Sequence, residues 1–130
     1  MLMKVFPHGT GEGDKPSRYL VRPDYPGRDT APPQVLRGDP AMTRALIDSI
    51  ERRWKFTSGA LSWHPNEKIS EAQEEEVMDA FEQVAFAGLE ADQRNILWVR
   101  HTHAGHHELH FLIPRLELSS GKDFNACPPG

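Results

Sequence analysis

The stretch Ile96-Leu97-Trp98-Val99-Arg100-His101-Thr102-His103-Ala104-Gly105-His106-His107-Glu108-Leu109-His110-Phe111-Leu112-Ile113-Pro114 decides the fold. Two strand-like runs, 94–103 and 106–114, flank Ala104-Gly105, and a glycine at that centre favours a two-residue hairpin turn. With this turn His103 faces His106, and His101 faces Glu108 directly across the strands. His110 comes two residues after Glu108 and shares its face, because side chains alternate along a strand. The diagonal from His101 to His110 is within side-chain reach. Leu109, Phe111, Ile113 and Trp98 fall on the other face, which is expected to be core. One face of the hairpin is apolar, and the other gathers metal-ligand types.

Five of the seven histidines lie between positions 101 and 110. Two imidazoles and one carboxylate on a rigid two-stranded platform form a candidate metal site: His101, Glu108 and His110. That ligand set suits several divalent metals, non-haem Fe(II) among them, and does not by itself choose a reaction. The alternative reading is a solvated histidine tract that picks up nickel or zinc adventitiously. His103, His106 and His107 sit at or beside the turn and receive no role.

Outward from the hairpin, residues 2–6 read as a short strand, followed by a glycine-rich loop from His8 to Asp14. Ser17 to Val21 can form a turn of helix, closed by Pro23. Residues 22–34 carry four prolines and read as an irregular connection. Val35 to Gly38 reads as a short strand. Asp39-Pro40 opens a helix, with aspartate at the N-cap and proline at the first helical position. Met42, Leu46 and Ile50 give that helix an apolar stripe, and it is expected to end near Arg53. Lys55 to Trp63 reads as a strand. Ser70 and Gln73 form a capping box that starts a second helix, with Val77, Phe81 and Val84 on one face and Gly88 as the stop. Glu71, Glu74, Glu75 and Glu76 are expected on its solvated side. Leu116 to Leu118 could extend the sheet. The order β-β-α-β-α-β-β predicts an α+β fold: an antiparallel sheet with two helices packed on one face, leaving the other face for the metal site.

At 130 residues the chain is one ordinary domain, expected over residues 1–125, with an irregular tail at 126–130. It is 38% hydrophobic and 26% charged, close to the globular average, so wholesale disorder is excluded. The single cysteine, Cys127, excludes an internal disulfide and a multi-cysteine zinc site. No apolar run approaches about 18 residues, so no membrane span is expected, and the N-terminus is too short for a secretory signal. The expected compartment is cytoplasmic. The net charge of −4 is not the electrostatic footprint of a nucleic-acid binder. The acidic excess, however, concentrates in residues 67–92.

The motifs Ile96-Leu97-Trp98-Val99-Arg100-His101, Glu108-Leu109-His110-Phe111 and Ile113-Pro114 resemble the signature hairpin of plasmid mobilisation relaxases of the HUH endonuclease superfamily. They are most similar to the branch found on ColE1-type plasmids, whose metal motif is histidine, glutamate and asparagine. Here His110 stands where that branch has asparagine, a departure toward the wider superfamily, in which a third imidazole is usual. Phe56-Thr57-Ser58-Gly59-Ala60-Leu61-Ser62 and Leu36-Arg37-Gly38-Asp39-Pro40 also look like the family. So does Pro16-Ser17-Arg18-Tyr19-Leu20 after a glycine-rich loop, where the family carries its nucleophilic tyrosine. The similarity covers nearly all of residues 3–125. Relaxases of this type continue well past this length, so residues 126–130 read as a truncation.

The resemblance implies nicking of one DNA strand at a plasmid transfer origin during conjugative mobilisation. A tyrosine hydroxyl, Tyr19, would attack the scissile phosphate and leave a 5′-phosphotyrosyl link and a free 3′-hydroxyl. The implied cofactor is Mg²⁺ or Mn²⁺ on His101, Glu108 and His110; two imidazoles shift affinity toward Mn²⁺ or a later metal. The implied partners are single-stranded DNA at the origin and accessory mobilisation proteins. Arg18, Arg22 and Arg100 are the candidate DNA contacts, while Trp54, Phe56 and Trp63 are aromatic candidates for base stacking, with Trp63 also suited to the core. Tyr25, between two prolines, reads as a loop residue, and Asp14 and Asp24 lie near the nucleophile without further support. Three other readings stand beside this one: a non-catalytic DNA- or metal-binding remnant, a rolling-circle initiator or transposase of the same superfamily, and a small metal oxygenase or hydrolase. Initiators and transposases often place their tyrosine after the metal motif, and no tyrosine here follows Tyr25. The oxygenases usually need a many-stranded β-helix.

Overall fold

In a computed structural model, residues 1–7, 9–11, 14–22, 27–28, 31–102 and 105–127 are described. Tyr25, Asp24, His103, Ala104 and the end of the tail lie outside them, and with them the expected pairing of His103 with His106. The elements are β1 (Leu2–Val5), α1 (Asp14–Val21), β2 (Gln34–Arg37), α2 (Pro40–Asp48), β3 (Phe56–Ser62), α3 (Glu71–Ala85), β4 (Leu97–His101) and β5 (Glu108–Pro114), with a 3₁₀ turn at Ala91–Gln93. The five strands form one sheet in the order β1-β3-β5-β4-β2, and every pairing is antiparallel. The α+β class and the antiparallel sheet match the sequence reading. Leu116 to Leu118 lies outside the named strands.

The expected hairpin is present, with His101 opposite Glu108, Val99 opposite His110 and Trp98 opposite Phe111. Its second strand, β5, is central, flanked by β3 and β4. A central strand is covered on both faces, so Leu109, Phe111, Leu112 and Ile113 are all buried.

The two expected helices do not share a face. Met78 of α3, with Val77 and Phe81 against it, packs in a cluster with Trp98, Leu109, Phe111 and Ile113. Leu20 of α1 and Ile47 of α2 pack instead with Leu97, Val99 and Leu112, the same face that carries His101, Glu108 and His110. The reason lies in β4 and β5 themselves. Away from the histidine end, both faces of the hairpin are apolar, and each needs its own cover.

The helix caps form as expected. The Asp39 carboxylate accepts from the Ala41 N–H at 3.1 Å, and Ser70 and Gln73 make the reciprocal capping box at 3.1 and 2.8 Å. The expected stripe of α2 holds at Ile50, buried just past the helix end, and in part at the half-buried Leu46, but not at its start. Thr43 and Ile47 are buried, whereas Met42 is 53% exposed. The buried Thr43 hydroxyl has a partner in the half-buried Asn95, at 2.7 Å from its Oδ1, and apolar periodicity is blind to that bond. Likewise Val84 is 81% exposed, and Met78 takes its place inside. Gly38 is required where it stands: its φ is +87°, and a Cβ there would lie 2.3 Å from the Ile96 carbonyl oxygen.

Candidate metal centre

β4 and β5 bring His101, Glu108 and His110 together, with one ligand atom from each lying within 4.8 Å of the others. The two imidazole rings are 4.2 Å apart between centroids. Glu108 is gripped at both oxygens: the His110 Nε2 lies 2.9 Å from one, and the His106 Nε2 lies 2.6 Å from the other. Burial alone would raise the Glu108 carboxyl, but the hydrogen bonds and charges of His110 and His106 outweigh it and hold the group below the usual carboxylate range. The ionised form is the one a cation requires. The donor set, two imidazoles and one carboxylate, fits a divalent ion and leaves coordination positions open for substrate.

His101 is buried, and its Nε2 lies 2.7 Å from the Leu20 carbonyl oxygen. A carbonyl oxygen only accepts, so Nε2 carries the proton and Nδ1 the lone pair. An imidazole tied in this way through one nitrogen offers the other to a metal with its ring orientation set.

Leu20 belongs to α1, which covers this face of the sheet. Tyr19 is the preceding residue and is 44% exposed. The buried guanidinium of Arg28 lies 4.8 Å from the Tyr19 ring centroid and donates to the main-chain carbonyls of Tyr19 and Arg22. The sequence offered Arg28 only as one arginine among many, with no pattern to set it apart.

Of the candidate DNA contacts, Arg22 is exposed and Arg18 lies on α1. Arg100 is elsewhere. It follows the parity of Trp98, and its guanidinium is held by the Glu74 carboxylate, with Nε at 2.7 Å, and by Gln34. It is therefore on the α3 face, away from the cluster. Glu74, expected on the solvated side of its helix, is 2% exposed and also binds His107 at 2.6 Å. Burial would raise the Glu74 carboxyl, but Arg100 and His107 hold it low. Trp63 is in the core, as expected of it, and Phe56 packs against Leu20 and Ile47. Trp54 stays partly exposed beside Arg53. The carboxylates of α3 stand on the face opposite the cluster, with Glu75, Asp79 and Glu82 gathered around Arg37.

His106 and His107 thus have structural work that the sequence reading did not give them. Strand parity held the signal for His106, which precedes Glu108 by two and shares its side. Nothing in the sequence connects His107 to Glu74, thirty-three positions away.

The family described as "Relaxase: MobA/VirD2-like, nuclease domain" matches residues 41–128. The chain belongs to this family of relaxase nuclease domains. It is 44% identical over 122 residues to cryptic plasmid protein C of Neisseria gonorrhoeae, an alignment covering 94% of this chain and 58% of that protein. It is 40% identical over 122 residues to the DNA relaxase MbeA of Escherichia coli, covering 94% of this chain and 23% of that protein. The chain therefore spans only part of the length of both relatives. No solved structure matches it significantly. Among the described residues no helix is long and apolar enough to cross a membrane.

Proposed function

We propose that this chain carries the strand-nicking chemistry of a plasmid mobilisation relaxase, acting on single-stranded DNA at a transfer origin. The observation that carries the reading is the His101–Glu108–His110 cluster with α1, the helix of Tyr19, packed on the same face of the sheet. His101, Glu108 and His110 would hold a divalent ion, Mg²⁺ or Mn²⁺, whose charge polarises the non-bridging oxygens of the scissile phosphate.

The Tyr19 oxygen attacks phosphorus and forms the phosphotyrosyl bond. The bond from phosphorus to the 3′ oxygen breaks, and that oxygen leaves as a hydroxyl after taking up a proton. The phenol loses its own proton in the same exchange. A phenol is mostly protonated at neutral pH, so the phosphate must be made more electrophilic or the hydroxyl activated. The exposure of Tyr19 suits a group that must meet a polymer from solvent.

The test is incubation of the chain with an end-labelled single-stranded oligonucleotide spanning the transfer origin of its own plasmid. With Mn²⁺, a shortened labelled strand and a covalent protein–DNA band are expected; EDTA and Tyr19→Phe each abolish both. Persistence of the adduct in Tyr19→Phe removes the nucleophile assignment. Binding without any adduct in the wild type supports a non-catalytic DNA-binding role instead.

A further inference from the structure

The edge strand β1 continues the cluster's face in a way the ligands alone do not disclose. Lys4 is opposite Ala60, and Ala60 is opposite His110. Residues paired in register share a face, so Lys4, Ala60 and His110 form one row, with Lys4 about 10 Å from His110 at two strand spacings. The middle member is an alanine, so no long side chain stands between the two ends. Phe6, just after β1, closes the row from the side: its ring centroid is 6.4 Å from that of His110, and the Lys4 ammonium lies 6.0 Å from the Phe6 ring centroid. Lys4 is exposed, and among the described residues it has no carboxylate partner. Ser62, in the neighbouring row, lies opposite Glu108.

We propose that Lys4 and Phe6 form a subsite for the DNA strand beside the scissile position, with the ammonium on a backbone phosphate and the Phe6 ring under a base. This rests on the nuclease reading above and adds to it the side from which the strand is held. The chemistry is that of single-strand recognition in general: a cation tracks the backbone and an aromatic face carries a base regardless of its identity. The placement also answers the acidity of the chain. The carboxylates of α3 lie across the sheet, so a free ammonium on the cluster's face acts in a field that the net charge does not describe.

The experiment measures binding of a fluorescent single-stranded oligonucleotide by anisotropy, in EDTA, over a series of salt concentrations. Wild type, Lys4→Gln, Lys4→Arg and Phe6→Leu are compared. The slope of log affinity against log salt is expected to fall by about 0.7 in Lys4→Gln, the value for one lost phosphate contact on a single strand, and to be retained in Lys4→Arg. Phe6→Leu keeps the slope and weakens binding severalfold. Mn²⁺ affinity, read by the metal-induced rise in Tm, stays at the wild-type value in Lys4→Gln, which also reports that the variant is folded. If wild type nicks its origin and Lys4→Gln keeps the wild-type slope, the subsite is overturned and the nuclease reading stands. If the slope falls but no adduct ever forms with wild type, the subsite stands and the nuclease reading fails. Absence of single-strand binding by wild type overturns both.

Discussion

His101 donates its Nε2 proton to the carbonyl oxygen of Leu20 across 2.7 Å. One hydrogen bond thus joins a candidate metal ligand on β4 to the helix that carries the candidate nucleophile. Removing the imidazole affects both. His101→Ala is expected to cost about 1–3 kcal/mol in the metal-free protein, because a buried carbonyl loses its partner. It also removes one of three ligands. Thermal denaturation with and without Mn²⁺ checks both parts: a lower Tm without metal, and little further rise with it.

Glu108 separates these two effects. Glu108→Gln keeps the shape and removes the charge, so metal binding should suffer more than folding. An ion at roughly a hundred times its Kd stabilises a protein by about 2.7 kcal/mol, which for a domain of this size is a Tm rise of roughly 10 °C. Wild type is expected to show such a rise with saturating Mn²⁺, and Glu108→Gln to lose most of it. An equal rise in the variant would remove Glu108 from the ligand set.

The cluster was legible in the sequence because strand parity and a two-residue turn are local rules, and they place His101, Glu108 and His110 without knowledge of the rest of the chain. The caps at Asp39 and Ser70 are local in the same sense. What could not be read depends on pairs distant in sequence. Thr43 finds Asn95, Glu74 finds Arg100 and His107, and Lys4 reaches the row of His110 only through β3. The sides taken by the helices were missed for a related reason. Leu97, Val99 and Leu112 share parity with the ligands, and an apolar patch continuing a polar one calls for its own cover.

Glu74 holds the hairpin from behind. Its carboxylate takes the Arg100 guanidinium and the His107 ring, and His107 adjoins Glu108 in the chain. Glu74→Ala leaves the partly buried Arg100 without its counter-charge and is expected to destabilise by about 3 kcal/mol. The pH dependence has a definite sign. The folded carboxyl is held low, so its contribution is present above the unfolded value near 4.5 and is lost as pH falls through the folded value. Glu74→Gln should therefore flatten the acid side of the metal-free stability curve below about pH 5. Glu108, held low as well, keeps some acid sensitivity in that variant. Urea denaturation at pH 7 and pH 4 measures the difference, and an unchanged pH slope would exclude Glu74 as a contributor.

Arg28 braces the C-terminal end of α1. It is fully buried, donates to the carbonyls of Tyr19 and Arg22, and lies over the Tyr19 ring. None of these contacts involves His101, Glu108 or His110, and through them Arg28 bears on nicking by the placement of α1 and its tyrosine. Arg28→Lys retains a charge but removes the guanidinium whose Nη1 donates to both carbonyls and whose plane lies over the Tyr19 ring. The variant is expected to form the covalent adduct more slowly, roughly tenfold for a loss near 1.4 kcal/mol in the transition state. Its Mn²⁺-induced rise in Tm should remain that of wild type. A time course of adduct formation at saturating Mn²⁺ reads the first quantity and the thermal shift reads the second. A fall in both would mean that Arg28 supports the whole face rather than the tyrosine. Wild-type values for both would exclude Arg28 as a positioning residue for Tyr19.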